Sequence, residues 1–264
     1  MPLLNKQKFI KKPIPADLDP NEHVFYFKPT QEIFQDYDEY FERTILCNSL
    51  VWTCTLTGKT GLTFAEAIES ENKAKKIVSQ IPPALVKGIL FLLTLTRRGN
   101  IKDLIDDLFS FVRDRYFIGE TVLIVNGTNA SSGPKTWRIV DVIIPPKSGE
   151  NASASSGEPN GLLIEAGKIK YVVEVIENNN NSSNNNNCSN TSQSNRTSTV
   201  NASYVQRTKN CITKDKIYMI LKTNCEVVNS NKQIRWMVTE AAMEKHKINR
   251  ITFNDIFKGR FFGF

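Results

Sequence analysis

The chain has 264 residues, of which 40% are hydrophobic, so it is long enough to bury a substantial core. No run approaches the roughly 18–20 consecutive apolar residues of a membrane span, because the longest candidate, 84–96, is interrupted by Lys87 and Gly88. The amino terminus is lysine-rich without an apolar h-region, and the five cysteines are irregularly spaced, so we expect an intracellular protein with reduced thiols.

The first 61 residues begin with a basic segment and continue into short elements. Residues 1–20 carry four lysines and four prolines and are predicted to form a basic flexible arm. The aromatic run at 23–27 and the turn at Pro29 predict a short β-hairpin. Apolar residues three to four positions apart, from Phe34 to Ile45, predict a helix over 34–47 with one apolar stripe. A strand over 49–56 and a turn over 57–61 are predicted to follow.

Three helices are predicted next. Thr63 and Glu66 have the spacing of a capping box, which predicts a helix over 63–80. Pro82 and Pro83 end that helix and open another, which is apolar nearly all round and is therefore expected at the centre of the core. Asn100 is the predicted N-cap of the third, amphipathic helix. Residues 21–117 are thus predicted to form one compact, mainly helical unit.

The hydrophobic period then changes to that of strands. Runs at 120–125, 136–144, 161–165 and 169–176 predict a small antiparallel sheet or barrel within 118–177. The asparagine-rich residues 178–203 are too polar to pack and are predicted to be a disordered insertion. Residues 204–264 are predicted to be a basic α/β tail that packs on the helical unit, with a helix after Thr213, a strand near 234–238 and helical turns at 239–247 and 252–257. The predicted fold class is α+β.

The sequence gives little support to catalysis or metal binding. The Gly-Lys-Thr segment at 58–60 resembles the end of a phosphate-binding loop, but that loop needs a glycine at position 53, where Thr53 stands. Cys47 and Cys54 are poorly spaced for a metal and are expected in the core. The two histidines are not near a plausible nucleophile. We therefore predict no catalytic residue, metal or cofactor.

The formal charge of +7 is concentrated at the two ends of the chain. Residues 201–264 hold 12 basic and five acidic side chains, and residues 1–20 hold four lysines and two aspartates. A solvated surface explains any single lysine, but together the cations favour contact with the phosphates of DNA. The predicted DNA-binding residues are Lys8, Lys11, Lys12, Lys73, Lys76, Arg97, Arg98, Lys214, Lys216, Lys222, Arg235, Lys245, Lys247 and Arg250.

A long run of the chain resembles a known domain. The sequence from Asn21 to Glu71, and within it the run from Tyr37 to Trp52, is similar to the WAC domain. The likeness continues through Asp106-Asp107 and the run DRYFIGETV, and it returns weakly at 212–248. The chain resembles the ACF-type large accessory subunit of ISWI chromatin-remodelling complexes and, more distantly, the Williams syndrome transcription factor.

The resemblance implies a nuclear, non-enzymatic module that contacts the linker DNA of nucleosomes during assembly and spacing. It also implies that an ISWI-type ATPase binds regions of the full-length protein outside this fragment. Two alternatives stay open: the acidic segments 36–42 and 103–107 receive a histone tail or an element of the motor, or the chain is an atypical tyrosine kinase acting on a histone, as has been assigned to the Williams syndrome relative.

Overall fold

The computed structural model describes residues 1–16, 18–19, 21–125, 136–144, 168–176, 197–208, 211–230 and 233–256. These residues form helices and small antiparallel sheets, which confirms the α+β class. The chain divides into two compact units: Met1–Gln80 with Tyr218–Thr223 is the first unit, and Ile81–Ile217 with Asn224–Phe264 is the second unit. The domain limits at 20, 117, 177 and 203 stay predictions.

The elements follow one another in this order. The strands are β1 (Leu3–Leu4), β2 (Gln7–Lys8), β3 (Phe25–Phe27), β4 (Glu32–Phe34), β5 (Trp52–Thr53), β6 (Thr121–Ile124), β7 (Thr136–Ile143), β8 (Lys170–Val175), β9 (Thr197–Asn201), β10 (Val205–Gln206), β11 (Cys225–Ser230) and β12 (Gln233–Val238). The helices are α1 (Tyr37–Asn48), α2 (Phe64–Ser79), α3 (Pro83–Leu95), α4 (Ile101–Arg113), α5 (Lys214–Asn224), α6 (Glu240–Lys245) and α7 (Phe253–Ile256). Among the described helices, no single helix has the length and hydropathy of a membrane span. Helices α2 and α3 reach that length and hydropathy only when they are taken together.

The amino-terminal residues differ from the predicted flexible arm. Strand β1 lies between β2 and β5 in a three-stranded antiparallel sheet. Phe9 is buried, and its ring centroid lies 5.1 Å from that of Trp52. The Met1 ammonium lies 3.2 Å from the buried carboxylate of Glu71. The lysines give this segment the composition of a flexible arm. Burial of the apolar residues between them favours an ordered backbone over residues 1–9.

The core of the first unit is aromatic. Trp52 is fully buried and packs edge to face on Phe64, with Phe34 and Phe27 in the same cluster. Strands β3 and β4 form the predicted hairpin, and Thr63 and Glu66 form the predicted capping box of α2. The predicted burial of Cys47 and Cys54 is confirmed, and burial raises the pKa of the Cys47 thiol to about 11.

Helix α1 does not bury the apolar stripe that its sequence suggested. It begins at Tyr37, with the Asp36 side chain accepting from the Asp38 backbone N–H, so Phe34 belongs to β4 and not to the helix. Tyr37, Phe41 and Ile45 are each about half exposed. The opposite side of α1 packs on the core through Tyr40, Leu46 and Cys47. The periodicity identifies the helix correctly but not which of its faces is buried.

Helix α3 is the centre of the second unit, as predicted. Leu85, Ile89 and Leu90 are fully buried, and Asn100 caps the following helix α4 by accepting from the Lys102 backbone N–H at 3.0 Å. A glycine at position 88 lets α3 approach the Phe117 ring closely: a Cβ built there would lie 2.7 Å from ring carbons.

We therefore expect Gly88→Ala to lower the free energy of unfolding by about 1–2 kcal/mol, because overpacking outweighs the better helix propensity of alanine. Phe117 is only 1% exposed and has little room to move away. Urea unfolding measures the change. Thr94→Ala on the exposed side of α3 is the control and should change stability by about 0.5 kcal/mol or less. Equal stability of Gly88→Ala and the wild type would contradict the expectation.

The β-rich segment forms a five-stranded antiparallel sheet in the order β10-β6-β7-β8-β9, with a bulge between Ile139 and Asp141. Strand β9 lies within the predicted disordered insertion and pairs with β8 from Thr197 to Asn201, so that prediction is wrong for these residues. Their β-branched side chains suit an edge strand despite their polarity. Residues 178–196 and the strand predicted at 161–165 lie outside the described residues.

The carboxyl-terminal elements agree with the predicted helices and add a strand. Helix α5 follows Thr213, and α6 and α7 stand where helical turns were predicted. The strand predicted at 234–238 is β12, and it forms a two-stranded antiparallel hairpin with β11, which the sequence had not indicated.

Candidate nucleic-acid interface

A short basic segment of the second unit holds three of the predicted cations in fixed positions. Helix α6 begins at a Thr239 cap and is anchored by buried Ala242; the 3₁₀ turn Ile248–Arg250 follows and is anchored by Ile248, which is 4% exposed. The segment between the two anchors contains no glycine. Lys245, Lys247 and Arg250 are exposed, and none has an ion-pair partner among the described residues. We call these three side chains the basic turn.

The backbone of Lys247 is what joins the two helical pieces. Its φ of 53° is in the left-handed region, and its N–H donates to the Glu244 carbonyl at 3.1 Å, as at a helix carboxyl terminus. Burial, together with the neighbouring Lys245 ammonium, lowers the pKa of His246. The imidazole is therefore neutral at pH 7, and the positive charge of this segment comes from the basic turn alone.

Lys247→Gly is expected to raise the free energy of unfolding by about 0.5–1 kcal/mol, because glycine adopts the left-handed conformation without a Cβ penalty. Thermal unfolding of the purified chain measures it. Lys247→Ala is the control, since it removes the same charge but keeps the strain. If both variants change stability equally, the backbone conformation at this position is not strained.

Four further predicted residues are exposed and have no ion-pair partner within the described part of the chain. In the first unit they are Lys8 on β2, Lys11, and Lys76 near the end of α2; in the second unit it is Arg97, in the connection from α3 to α4. A lysine near the carboxyl end of α2 also stabilises the helix dipole. These side chains can contact phosphates without first giving up a carboxylate.

Other predicted residues already have a carboxylate partner. Lys73 lies 2.6 Å from Glu69 on the same helix, and Lys12 pairs with Glu39. In the second unit two more pairs form, Arg98 with Asp107 at 2.9 Å and Lys214 with Asp106 at 2.6 Å. These pairs are partly exposed and therefore weak, but each must be broken or shared before the cation contacts a phosphate.

The last three predicted residues occupy mixed positions. Lys222 is half-buried with its ammonium 5.7 Å from the centre of the Tyr218 ring, and burial lowers its pKa. Lys216 is half-buried and donates to the Cys211 carbonyl at 3.4 Å. Arg235 is exposed on β12. Lys222 and Lys216 are therefore the least suited of the set to contact DNA.

The sequence did not indicate that Arg207 would be a buried, structural cation of the second unit. Arg207 forms a buried ion pair with Glu120, their side chains being 7% and 1% exposed. It also donates to the carbonyls of Val112 at 2.6 Å and Arg115 at 2.5 Å, and its guanidinium lies 4.4 Å from the centre of the Tyr116 ring. Arg207 thus satisfies carbonyls at the carboxyl end of α4 and has a structural role.

The described residues give no geometry for a nucleotide or a metal. The segment at 58–60 closes a tight turn in which the Gly58 N–H donates to the Cys54 carbonyl and the Cys54 N–H donates to the Lys59 carbonyl, both at 2.9 Å. Helix α2 begins only at Phe64, whereas a phosphate-binding loop leads directly into its helix. No group of three potential metal ligands occurs in the described part of the chain.

Comparison with known proteins identifies the class of domain. Residues 23–122 match the model of a WAC and Acf1 DNA-binding family described as the amino-terminal region of ATP-utilising chromatin assembly and remodelling proteins. Residues 23–122 are therefore similar to the WAC and Acf1 family, and the resemblance to accessory subunits of ISWI-type remodelling complexes is confirmed.

Three relatives show how much of the chain is similar to known proteins, and one of them is named as a chromatin-remodelling subunit. The chain is 36% identical over 247 residues, 86% of its length, to human bromodomain adjacent to zinc finger domain protein 1A, of which the match covers 15%. A putative ISWI chromatin-remodelling complex subunit of Saccharomyces cerevisiae is 29% identical over 47% of this chain and 11% of its own length. Human tyrosine-protein kinase BAZ1B is 28% identical over 45% of this chain and 8% of its own length. The chain thus spans about 15% of the first of these relatives, and no solved structure matches it.

Proposed function

We propose that this chain is a non-catalytic DNA-binding module of a nuclear chromatin-remodelling subunit. It contacts the linker DNA of nucleosomes through phosphates, without strong sequence specificity, and so supports nucleosome assembly and spacing. The observation that carries the proposal is the basic turn: Lys245 and Lys247 are exposed between buried Ala242 and buried Ile248, and Arg250 is exposed two residues after Ile248. Residues 23–122 of the same chain match a DNA-binding family.

The charge of the two units supports this surface over the rest of the molecule. The first unit holds 11 basic and 11 acidic side chains, whereas the second holds 23 basic and 16 acidic ones. The whole formal excess therefore belongs to the second unit, which contains the basic turn and Arg97. Cations on backbone-anchored turns reach phosphates regardless of base sequence, and each contact releases a condensed counterion.

A mobility-shift titration on short duplexes of unrelated sequence, at two salt concentrations, tests the proposal. We expect binding to weaken on raising the salt by about the same factor for every sequence. The linker preference is tested with nucleosomes that carry flanking DNA and with core particles trimmed of it, and tighter binding to the former is expected. Failure to bind any duplex at low salt would remove the proposal; equal binding to both nucleosomes would remove only the linker preference.

A histone tail is the second candidate partner, and the exposed side of α1 favours it. Tyr37 and Phe41 stack with ring centroids 6.1 Å apart, and both are about half exposed. Asp38 and Glu42 are exposed on the same helix. Aromatic faces beside carboxylates attract lysine and arginine side chains, and this acidic surface would repel DNA. The segment 103–107 is less suitable, because Asp106 and Asp107 already pair with Lys214 and Arg98.

Fluorescence anisotropy of a labelled histone-tail peptide measures this second activity. Phe41→Ser is expected to weaken peptide binding and to leave DNA binding unchanged, with Ser110→Ala on α4 as an exposed control. Equal peptide affinity of wild type and Phe41→Ser would exclude this face. Competition of unlabelled DNA with the peptide then shows whether the two partners use one surface.

We propose no kinase activity for this chain. The name tyrosine-protein kinase describes a relative that matches less than half of the chain, and the Gly-Lys-Thr segment here closes a tight turn. In a thermal-shift assay with ATP and magnesium we therefore expect no change in the melting temperature of the chain.

Binding of an ISWI-type ATPase is proposed for parts of the full-length protein beyond this chain, which spans about 15% of the first relatives.

A further inference from the structure

The hairpin of β11 and β12 presents an apolar ridge at its outer end. The strand register pairs Val227 with Trp236 and Asn229 with Ile234, which puts Val227, Trp236 and Ile234 on one side of the hairpin. Val227 is 50% exposed and Ile234 is 54% exposed, and Trp236 lies half-buried between them. These three side chains are called the hairpin ridge. Large apolar side chains grouped on an exposed hairpin indicate a binding surface more strongly than isolated ones do.

The ridge packs against the connection between α3 and α4. The Trp236 Nε1–H donates to the Gly99 carbonyl at 3.1 Å. A Cβ on Gly99 would lie 2.5 Å from the Ile234 carbonyl oxygen, so the two backbones touch and only glycine fits. At the inner end of the hairpin Val238 is 5% exposed. The inner end is thus part of the core, while the outer end projects into solvent.

This packing places arginines beside the apolar side chains. Arg97 and Arg98 directly precede Gly99 and are both exposed, whereas Arg235 lies on the opposite side of the hairpin, with Met237. Arg98 pairs with Asp107, whereas Arg97 has no carboxylate partner in the described part of the chain. An apolar ridge flanked by arginines matches the chemistry of proteins that insert a side chain between base steps while their cations hold the phosphates.

We propose that the hairpin ridge is a DNA wedge: Val227 and Ile234 enter the minor groove of the duplex, and Arg97 contacts the adjoining phosphate. The inference rests on the proposed DNA binding and adds a mode of contact to it. An apolar or acidic protein partner is the competing occupant. DNA is favoured because the second unit carries the whole positive excess of the chain, and two arginines, Arg97 and Arg98, directly precede the glycine that contacts the ridge. Insertion of this kind kinks DNA by roughly 20–90°.

A duplex labelled at both ends with a donor and an acceptor dye reports bending and affinity in one titration. The test variant carries Val227→Ser and Ile234→Ser together. The matched control is Met237→Ser, which is 47% exposed on the opposite side of the hairpin. Arg97→Gln is a third variant, in which one phosphate contact is removed and the ridge is kept. All four substituted positions are exposed, so folding is checked simply by comparing melting temperatures.

We expect the wild type and Met237→Ser to shorten the distance between the dyes on binding. The ridge variant should bind roughly tenfold more weakly, with straight DNA and an unchanged salt slope, because its phosphate contacts remain. Arg97→Gln should make the negative slope of log K against log salt shallower by roughly 0.9, because one phosphate contact is lost, and should leave the bend unchanged. Wild-type binding without bending, or equal affinity of the ridge variant, would overturn the wedge and leave DNA binding intact. Failure of the wild type to bind DNA would overturn both proposals.

Discussion

Glu120→Ala is expected to lower the free energy of unfolding by about 3–5 kcal/mol, because it leaves the buried guanidinium of Arg207 without its counterion. The Glu120 carboxylate is 1% exposed and also accepts from the Phe117 backbone N–H at 3.1 Å. Its removal therefore leaves a buried charge and a buried donor unsatisfied. Urea unfolding followed by circular dichroism measures the loss.

A surface pair in the same region provides the control. Arg113 pairs with Asp114 at 2.9 Å, but these side chains are 63% and 46% exposed. Arg113→Ala is therefore expected to cost about 1 kcal/mol or less. Arg207→Lys should resemble Glu120→Ala, because an ammonium cannot reach the carboxylate and the carbonyls of Val112 and Arg115 together. Similar stabilities of Glu120→Ala and Arg113→Ala would mean that the buried pair contributes no more to stability than the exposed one.

The helices could be predicted because their start signals are local. Thr63 and Glu66 form the capping box of α2, the two prolines at 82–83 open α3, and Asn100 caps α4. Each signal lies within four residues of the helix end that it sets, so no knowledge of tertiary structure is needed.

The pairing of the amino-terminal strand could not be predicted in this way. Leu3 pairs with Thr53, and the two residues are far apart in the chain. The lysines around Leu3 give the segment the composition of a flexible arm, whereas its burial depends on a partner strand that a local pattern does not reveal. The same limit applies to β9, whose polar side chains are stabilised by pairing with β8.

The candidate site shows the same contrast between near and distant interactions. Lys73 stands four residues after Glu69, so their ion pair follows from helix geometry. The pair of Lys214 with Asp106 and the burial of Arg207 depend on contacts between distant parts of the chain. Charge counting therefore finds the basic region but does not separate cations that are available to DNA from those that are paired or buried.

The largest effect on DNA binding is expected from the basic turn. A variant with Lys245→Gln, Lys247→Gly and Arg250→Gln should bind duplex DNA roughly 100-fold more weakly near 0.1 M salt, and its salt slope should fall by roughly 0.9 for each lost contact. Glycine is chosen at 247 because it suits the left-handed backbone there, so reduced stability does not explain weaker binding. Anisotropy titrations at several salt concentrations measure both quantities.

A second triple variant separates local contact from overall charge. Lys102, Arg138 and Lys170 are exposed in the same unit on other elements, and their replacement by glutamine removes the same number of charges without changing the basic turn. If the basic turn contacts phosphates, the control should retain most of its affinity and salt slope, because its phosphate contacts, and the counterions that they release, are unchanged. Equal losses of affinity in the two variants would mean that DNA binding depends on the total charge of the second unit. The residues of the basic turn would then not be specific contacts.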